Sequence, residues 1–307
     1  MNYWGCIQIF LVLQCGLAWA QYSPPDHYLI ACGQATDVTV GNRVFSADNP
    51  TSLATGGVVG STAQNNAYLS YPSLLTSARF FPANASYNFN ISSGGRHWVR
   101  LYFYPFASST FSPNNSRFSV LANGFTLMDN FSSVAFTTPT RPDLMREYLV
   151  NTTSKTLVLT FVPEAQSYAF VNAIEVQSLP DNLVQDDGLL LGSGAPVTLG
   201  LASAALQSMY RLNVGGTTIL PLNDSQGIDR TWKPDDEYIF SAATGQTSSV
   251  DPSKLQNGTQ PRYSVIQNLE VCRFSPFGGM HIFLNVFSTL PLETSRCQLI
   301  SFIWFST

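Results

Sequence analysis

Two stretches decide the fold: Trp98–Phe106, WVRLYFYPF, and Arg117–Met128, RFSVLANGFTLM. In the first, Val99, Leu101 and Phe103 alternate with Arg100, Tyr102 and Tyr104. Successive side chains of a strand point to opposite faces of the sheet, so this period of two sets an aliphatic face against an amphipathic aromatic one. In the second, Asn123-Gly124 stands between two apolar runs. Both residues tolerate positive φ, so a tight hairpin is predicted there. Working outward, Glu147–Val150 and Lys155–Val162 flank the polar Asn151–Ser154 and predict another hairpin, with Leu157, Leu159 and Phe161 on one side. Phe170–Val176, FVNAIEV, alternates again. Short strands, intervening turn residues and no helical period predict an all-β chain, an antiparallel β-sandwich in which each strand buries one face.

The chain has 307 residues, which at about 150 residues per domain predicts two domains. Hydrophobic residues make up 45%, ample for a core, whereas charged residues are only 11%; soluble domains average about 25%. Solubility must therefore come from hydroxyls, amides or attached sugar. Lys+Arg 15 against Asp+Glu 19 gives a net charge of −4, with no basic excess to neutralise phosphates, so nucleic-acid binding is not expected.

Residues 1–20 read as a signal peptide. Ile7–Leu13 is a short apolar run and Ala18-Trp19-Ala20 has the small-x-small pattern of a cleavage site, though no Lys or Arg precedes it. After residue 20 no apolar run reaches 18 residues, so no membrane span is expected. Asn-x-Ser/Thr sequons at Asn84, Asn90, Asn114, Asn130, Asn151, Asn223 and Asn257 agree with secretion and are glycosylation candidates. Of the five cysteines, Cys6 and Cys15 fall in the signal segment. The odd count of three that remains means a free thiol or an intermolecular bridge; if Cys272 and Cys297 pair, Cys32 is the buried free thiol.

Leu179–Ser203 changes character: Asp181, Asp186, Asp187, Gly188, Gly192, Gly194 and Pro196 mark a linker. Met209–Val214 then opens a new strand and Trp232–Phe240 carries another turn and strand, so a second unit starts near residue 205.

No catalytic constellation stands out. Glycoside hydrolysis needs two carboxylates about 5.5 Å or roughly 6.5–9.5 Å apart across a cleft. Asp186-Asp187 and Asp235-Asp236-Glu237 are adjacent in sequence and point to opposite faces when extended. His27, His97 and His281 lack metal-ligand spacing, so no metal and no cofactor are expected. His97 reads as a hydrogen-bonded structural histidine. The aromatics are the better lead, because sugar rings stack on Tyr and Trp while hydroxyls bond to polar neighbours. Trp98, Arg100, Tyr102 and Tyr104 are the candidate ligand-binding residues, set against their packing between sheets or under a loop. Arg79, Arg96 and Arg100 are the candidate basic patch for a polyanion, set against three separately solvated or paired arginines.

These residues also carry a resemblance. Ala31-Cys32-Gly33 with Val38–Phe45, Gly95–Phe106, Phe118-Ser119-Val120 with Gly124–Leu127, Phe170–Val176, Tyr210–Gly216, and Arg230-Thr231-Trp232 with Pro234-Asp235 follow one another as in plant malectin-like domains. The chain resembles the ectodomain of the FERONIA/THESEUS-type receptor-like kinase family over about residues 26–260. The resemblance implies jelly-roll-like β-sandwiches: a malectin-like domain over 26–178, a linker over 179–204, an incomplete second malectin-like sandwich over 205–262 and a divergent tail over 263–307. It further implies an extracellular recognition module in the apoplast or cell wall, whose full-length relatives are single-pass plasma-membrane proteins. Its expected partners are a secreted signalling peptide or a cell-wall polysaccharide, with a GPI-anchored co-receptor or a full-length related receptor. No Gly-rich loop with its Lys, no His-Arg-Asp and no Asp-Phe-Gly occurs, so kinase chemistry is not expected of this chain, which reads as truncated before the transmembrane helix and kinase. The competing readings are a secreted wall-glycan hydrolase, a kinase-less decoy and a gene-model fragment.

Overall fold

The Asn-Gly turn forms as its chemistry dictates. In the computed structural model, which describes residues 22–48, 54–62, 66–180, most of 183–238 and the backbone of strands at 268–274, 282–287 and 299–302, Asn123 and Gly124 take φ of +45° and +87°. They join β8 (Phe118–Ala122) to β9 (Phe125–Phe131). With β6 (Ala85–Asn90) and β11 (Thr156–Pro163), these make a four-stranded sheet in the order β6-β11-β8-β9.

The facing sheet is larger. Its order is β2 (Val38–Val40), β3 (Arg43–Ala47), β1 (His27–Ala31), β13 (Ala173–Ser178), β7 (Gly95–Phe103), β10 (Leu144–Thr152), β16 (Leu206–Asn213), β18 (Asn268–Phe274), β19 (Ile282–Phe287) and β20 (Leu299–Phe302). The short β17 (Lys233–Pro234) lies beside β16. A smaller three-stranded sheet runs in the order β12 (Ala169–Val171), β5 (Ser77–Phe81) and β4 (Val58–Ser61), and β14 (Asp187–Leu189) pairs with β15 (Pro196–Thr198). Pairing is antiparallel except for β1–β3 and β16–β17.

The core lies between the sheets. Val99, Leu101 and Phe103 of β7 meet Leu157, Leu159 and Phe161 of β11, all with no solvent exposure. Around them the rings of Phe80, Phe81, Phe118, Phe131 and Phe170 interlock, with centroid separations such as 5.2 Å for Phe81–Phe161 and Phe103–Phe131. Each fully buried ring of this kind contributes about 1.5–3 kcal/mol, and the offset geometries add to that.

One expectation is corrected. The segments on either side of Asn151–Ser154 do not form a hairpin: β10 pairs with β7 and β16, whereas β11 pairs with β6 and β8. The short polar loop is a corner at which the chain crosses from one sheet to the other. Both strands point apolar residues at the same core, so their alternation is identical in the two arrangements. A second crossing falls at Asn172, between β12 and β13. Its buried side chain donates to the carbonyls of Leu75 (2.8 Å) and Ser77 (2.7 Å) and accepts from the Tyr104 amide (2.7 Å). Its backbone amide donates to Tyr102 O and its carbonyl accepts from the Cys32 amide, both at 2.9 Å.

The ladder also runs through the boundary expected near residue 205: Glu147, Tyr148 and Leu149 of β10 pair with Ser208, Gln207 and Leu206 of β16. Within the expected linker, Leu179, Leu183 and Val184 are buried against Trp98, Leu149, Leu206 and Ile228. Within the expected tail, the β18 backbone pairs with β16 from Leu206↔Phe274 to Asn213↔Asn268. Cys32 is buried and free. The signal segment, Asn257 and the side chains of Cys272 and Cys297 lie outside the described residues.

Candidate ligand-recognition cleft

The face of β7 opposite the core carries Trp98, Arg100 and Tyr102, and in a lone sandwich it would meet water. Here β16 and residues 227–232 cover it. Trp98 is 1% exposed, with the Arg211 guanidinium 5.0 Å over its ring. Arg100 is 2% exposed and lies within an ion-pair chain. Its Nε bonds Glu147 Oε2 at 2.5 Å, its Nη1 bonds Glu175 Oε2 at 2.9 Å, and its Nη2 donates to the Ile228 carbonyl at 3.0 Å. Arg211 of β16 forks onto both oxygens of Glu147. Arg43 of β3 forms ion pairs with Glu175 (2.6 Å) and Asp229 (3.4 Å), and Asp229 also meets His27 (3.3 Å). The Tyr102 hydroxyl donates to Glu175 at 2.6 Å.

Three arginines thus face three carboxylates across β3, β7, β10, β13, β16 and the loop at Asp229, and buried charges are tolerated only when so paired. Burial would raise the Glu147 carboxyl, but Arg211 and Arg100 outweigh it and hold it down at about 2. Burial is likewise outweighed at Glu175 by Arg43 and Arg100, which hold its carboxyl below the usual range. At Asp229 burial is outweighed by the His27 hydrogen bond together with Arg43 and Arg100, and its carboxyl is also lowered.

Above this chain opens a cleft of about 530 Å³. Arg100, Tyr102 and Glu147 reach its wall, with Tyr68, Tyr71, Arg141 and Arg146 from the chain before β16 and Tyr210, Lys233 and Tyr238 from β16 and the chain after it. Tyr68, Tyr210 and Tyr238 are 62%, 41% and 51% exposed, and Tyr210 and Tyr238 meet edge to face at 5.3 Å.

Of the four sequence candidates, the cleft gathers two, Arg100 and Tyr102. Trp98 is sealed beneath Arg211, and Tyr104 is buried 5.9 Å from Phe106. None of the three aromatics offers an open stacking face, because all three are buried. The rim tyrosines were not singled out from the sequence; Tyr210 and Tyr238 stood in motif stretches, while Tyr68 and Arg141 lie in turns with no periodic signal. The expected basic patch is not formed. Arg79 is buried against Asp48, which also accepts from the Tyr87 hydroxyl at 2.8 Å, and Arg100 is paired as above. His97 is structural, as its position implied, with Nε2 3.3 Å from Asp26. Arg230-Thr231-Trp232 is a fold lock: Arg230 forks onto Asp224 at 2.9 Å and covers the Trp232 ring at 4.9 Å. Among the described residues no cluster of His, Cys, Asp and Glu fits a metal ion, and no helix is long and apolar enough to cross a membrane. Asn84, Asn90, Asn114, Asn130 and Asn223 are exposed and Asn151 is half-buried.

Comparisons with known proteins agree with this architecture. The Malectin-like domain family profile matches residues 30–271, past the 260 at which the motif-by-motif resemblance ends. The chain is 36% identical over 282 residues to the receptor-like protein kinase THESEUS 1 of Arabidopsis thaliana, covering 89% of this chain and 32% of the relative. It is 38% identical over 259 residues to the receptor-like protein kinase FERONIA of the same plant, covering 80% and 28%. The chain therefore spans about a third of the length of these curated relatives. Among solved structures, the plant receptor-like kinase FER superposes with a TM-score of 0.64 at 34% identity, covering 74% of this chain and 58% of that one. A structure of the plant peptide RALF23 in complex with FER and LLG2 superposes at 0.66 and 31% identity, covering 87% and 71%. With its profile match, its relatives and its sandwich in accord, the chain belongs to the malectin-like domain family, as a homologue of receptor-like kinase ectodomains.

Proposed function

We propose that this chain is an extracellular recognition module that takes a secreted peptide of the RALF type together with a GPI-anchored co-receptor, faces the apoplast, and performs no chemistry on its ligand. The observation that carries this reading is the likeness over 87% of the chain to the structure described as RALF23 in complex with FER and LLG2. The cleft supports it. Two of the acids on its wall are held ionised, Glu147 by Arg211 and Arg100 and Asp229 by His27 with Arg43 and Arg100, whereas a glycosidase needs one carboxyl kept protonated near neutral pH. Amphipathic tyrosines with adjacent arginines are the residue types that dominate recognition surfaces. Arg100 and Tyr102 act in this reading as the rigid floor, and the rim tyrosines as the contact groups.

The test is biolayer interferometry of the secreted chain against RALF23, with and without soluble LLG2. The expected result is binding strengthened by LLG2. Absence of binding in both arms at micromolar peptide overturns the reading. The exposed tyrosine rings also favour a second reading, a wall polysaccharide in the same cleft. Competition by an oligogalacturonide against the peptide would support it, and additive binding would not.

A further inference from the structure

A surface with few charges must be kept from pairing with its own copies, and the sheet edges are where that is hardest. The two outer strands of the four-stranded sheet differ. The edge of β6 is covered by its own chain: Ala54 bridges to Tyr87, the Thr55 amide donates to Ser86 O at 2.8 Å, and the Tyr28 hydroxyl donates to Asn90 O at 2.7 Å. The edge of β9 has no partner strand among the described residues. It exposes Phe125, Thr126, Asp129 and Asn130, with one charge among its seven residues. An open edge of unpaired N–H and C=O groups is a template for another chain.

Within β9 the ladder bulges opposite Ser119, between Phe118↔Phe131 and Val120↔Met128. Asn130 takes φ +46° there, a conformation Asn adopts more readily than most residues. Ser119 Oγ pins the bulge, accepting from the Asn130 amide at 3.0 Å and donating to Asp129 Oδ1 at 3.2 Å. Arg117 Nη1 donates to Asn130 Oδ1 at 3.3 Å. That contact fixes the side-chain amide and leaves Nδ2 without a partner among the described residues. Phe131, the next residue, is buried, so Asn130 faces outward in Asn130-Phe131-Ser132, a glycosylation sequon.

We propose that Asn130 carries an N-linked glycan that guards the free edge of β9 against pairing with a second copy of this chain. In its attachment, Nδ2 attacks the anomeric carbon of an oligosaccharide held on a lipid pyrophosphate. The N–C bond forms, the C–O bond to the pyrophosphate breaks, the lipid pyrophosphate leaves and Nδ2 loses one proton. The Oδ1 bond to Arg117 persists and holds the first sugar beside the strand.

The experiment uses the secreted full chain, glycopeptide mass spectrometry and size-exclusion chromatography with light scattering. Ser132→Ala removes the sequon while leaving Asn130 and its bulge in place. Glycan at Asn130 in the wild type is expected, with a concentration-dependent shift of Ser132→Ala to larger species that the control Asn114→Gln does not show. Adding Thr126→Lys, a charge on the same strand, is expected to reverse the shift. Where Ser132→Ala is not secreted, trimming the glycans of folded wild type and of Thr126→Lys to their first sugar with an endoglycosidase, which keeps the Asn130 amide and adds no charge to the strand, gives the same comparison. A bare Asn130, an unshifted Ser132→Ala or trimmed chain, or a shift that Thr126→Lys leaves unchanged overturns the proposal.

Discussion

Glu147→Gln is the sharpest test of how β16 is held to the rest of the large sheet. Glu147 is 2% exposed and receives Arg100 from β7 and Arg211 from β16. The substitution keeps the shape of the side chain, removes its charge and turns an amide donor toward guanidinium groups that are themselves donors. Two routes give the magnitude. Lowering the carboxyl from 4.5 to about 2 corresponds to about 3 kcal/mol at neutral pH. Removing one partner of a buried ion pair costs about 3–5 kcal/mol. For domains of this size each kcal/mol shifts Tm by about 2–4 °C, so a fall of roughly 6–20 °C is expected by calorimetry at pH 7. Because Glu147 ties β16 to β7 through Arg211 and Arg100, separation of one unfolding transition into two is expected as well. A Tm within about 2 °C of wild type would refute the reasoning, since it would mean that these three groups are solvated rather than buried together.

Acid tests the same chain. Glu147, Glu175 and Asp229 have lowered pKa values, so the stability they contribute is present above their unfolded values of 4.5 and 3.8 and is lost as pH falls through the folded ones; urea midpoints should drop between pH 4.5 and about 2. Gly33→Ala would place a methyl 2.4 Å from the Ala78 carbonyl oxygen at φ +75°, and a loss of at least about 2 kcal/mol in urea unfolding is expected. Asn172→Ala leaves the carbonyls of Leu75 and Ser77 and the Tyr104 amide short of a partner, at about 1–3 kcal/mol per unmet group; chemical denaturation should show it. Tyr210→Ala with Tyr238→Ala should weaken peptide binding in the interferometry assay while leaving Tm nearly unchanged.

The sandwich was legible because its signals are local. Alternation in Val99–Phe103 and Leu157–Phe161 and the positive φ demanded at Asn123-Gly124 act within a few residues. The corner after β10 was not legible, because alternation reports which side of a strand is apolar and not which sheet supplies the neighbour. The site was less legible for a related reason. Trp98, Arg100 and Tyr102 do form the second face of β7, but whether that face meets solvent depends on β16, more than 100 residues later. Arg43, Arg211 and Asp229 come together only through strand order, and no spacing in the chain records that.

The three-pair seam between β10 and β16 sets more than stability. Neighbouring strands rotate by about −20 to −25° relative to each other through the chirality of the backbone. Strands from β16 onward continue the large sheet and inherit that twist, so their angle to the strands before them is set by strand count and register rather than by the length of the chain that leads to β16. Lengthening the chain between Leu179 and Ala205 would leave this angle unchanged, whereas slipping β16 by one residue would turn its face over and carry Arg211 away from Glu147.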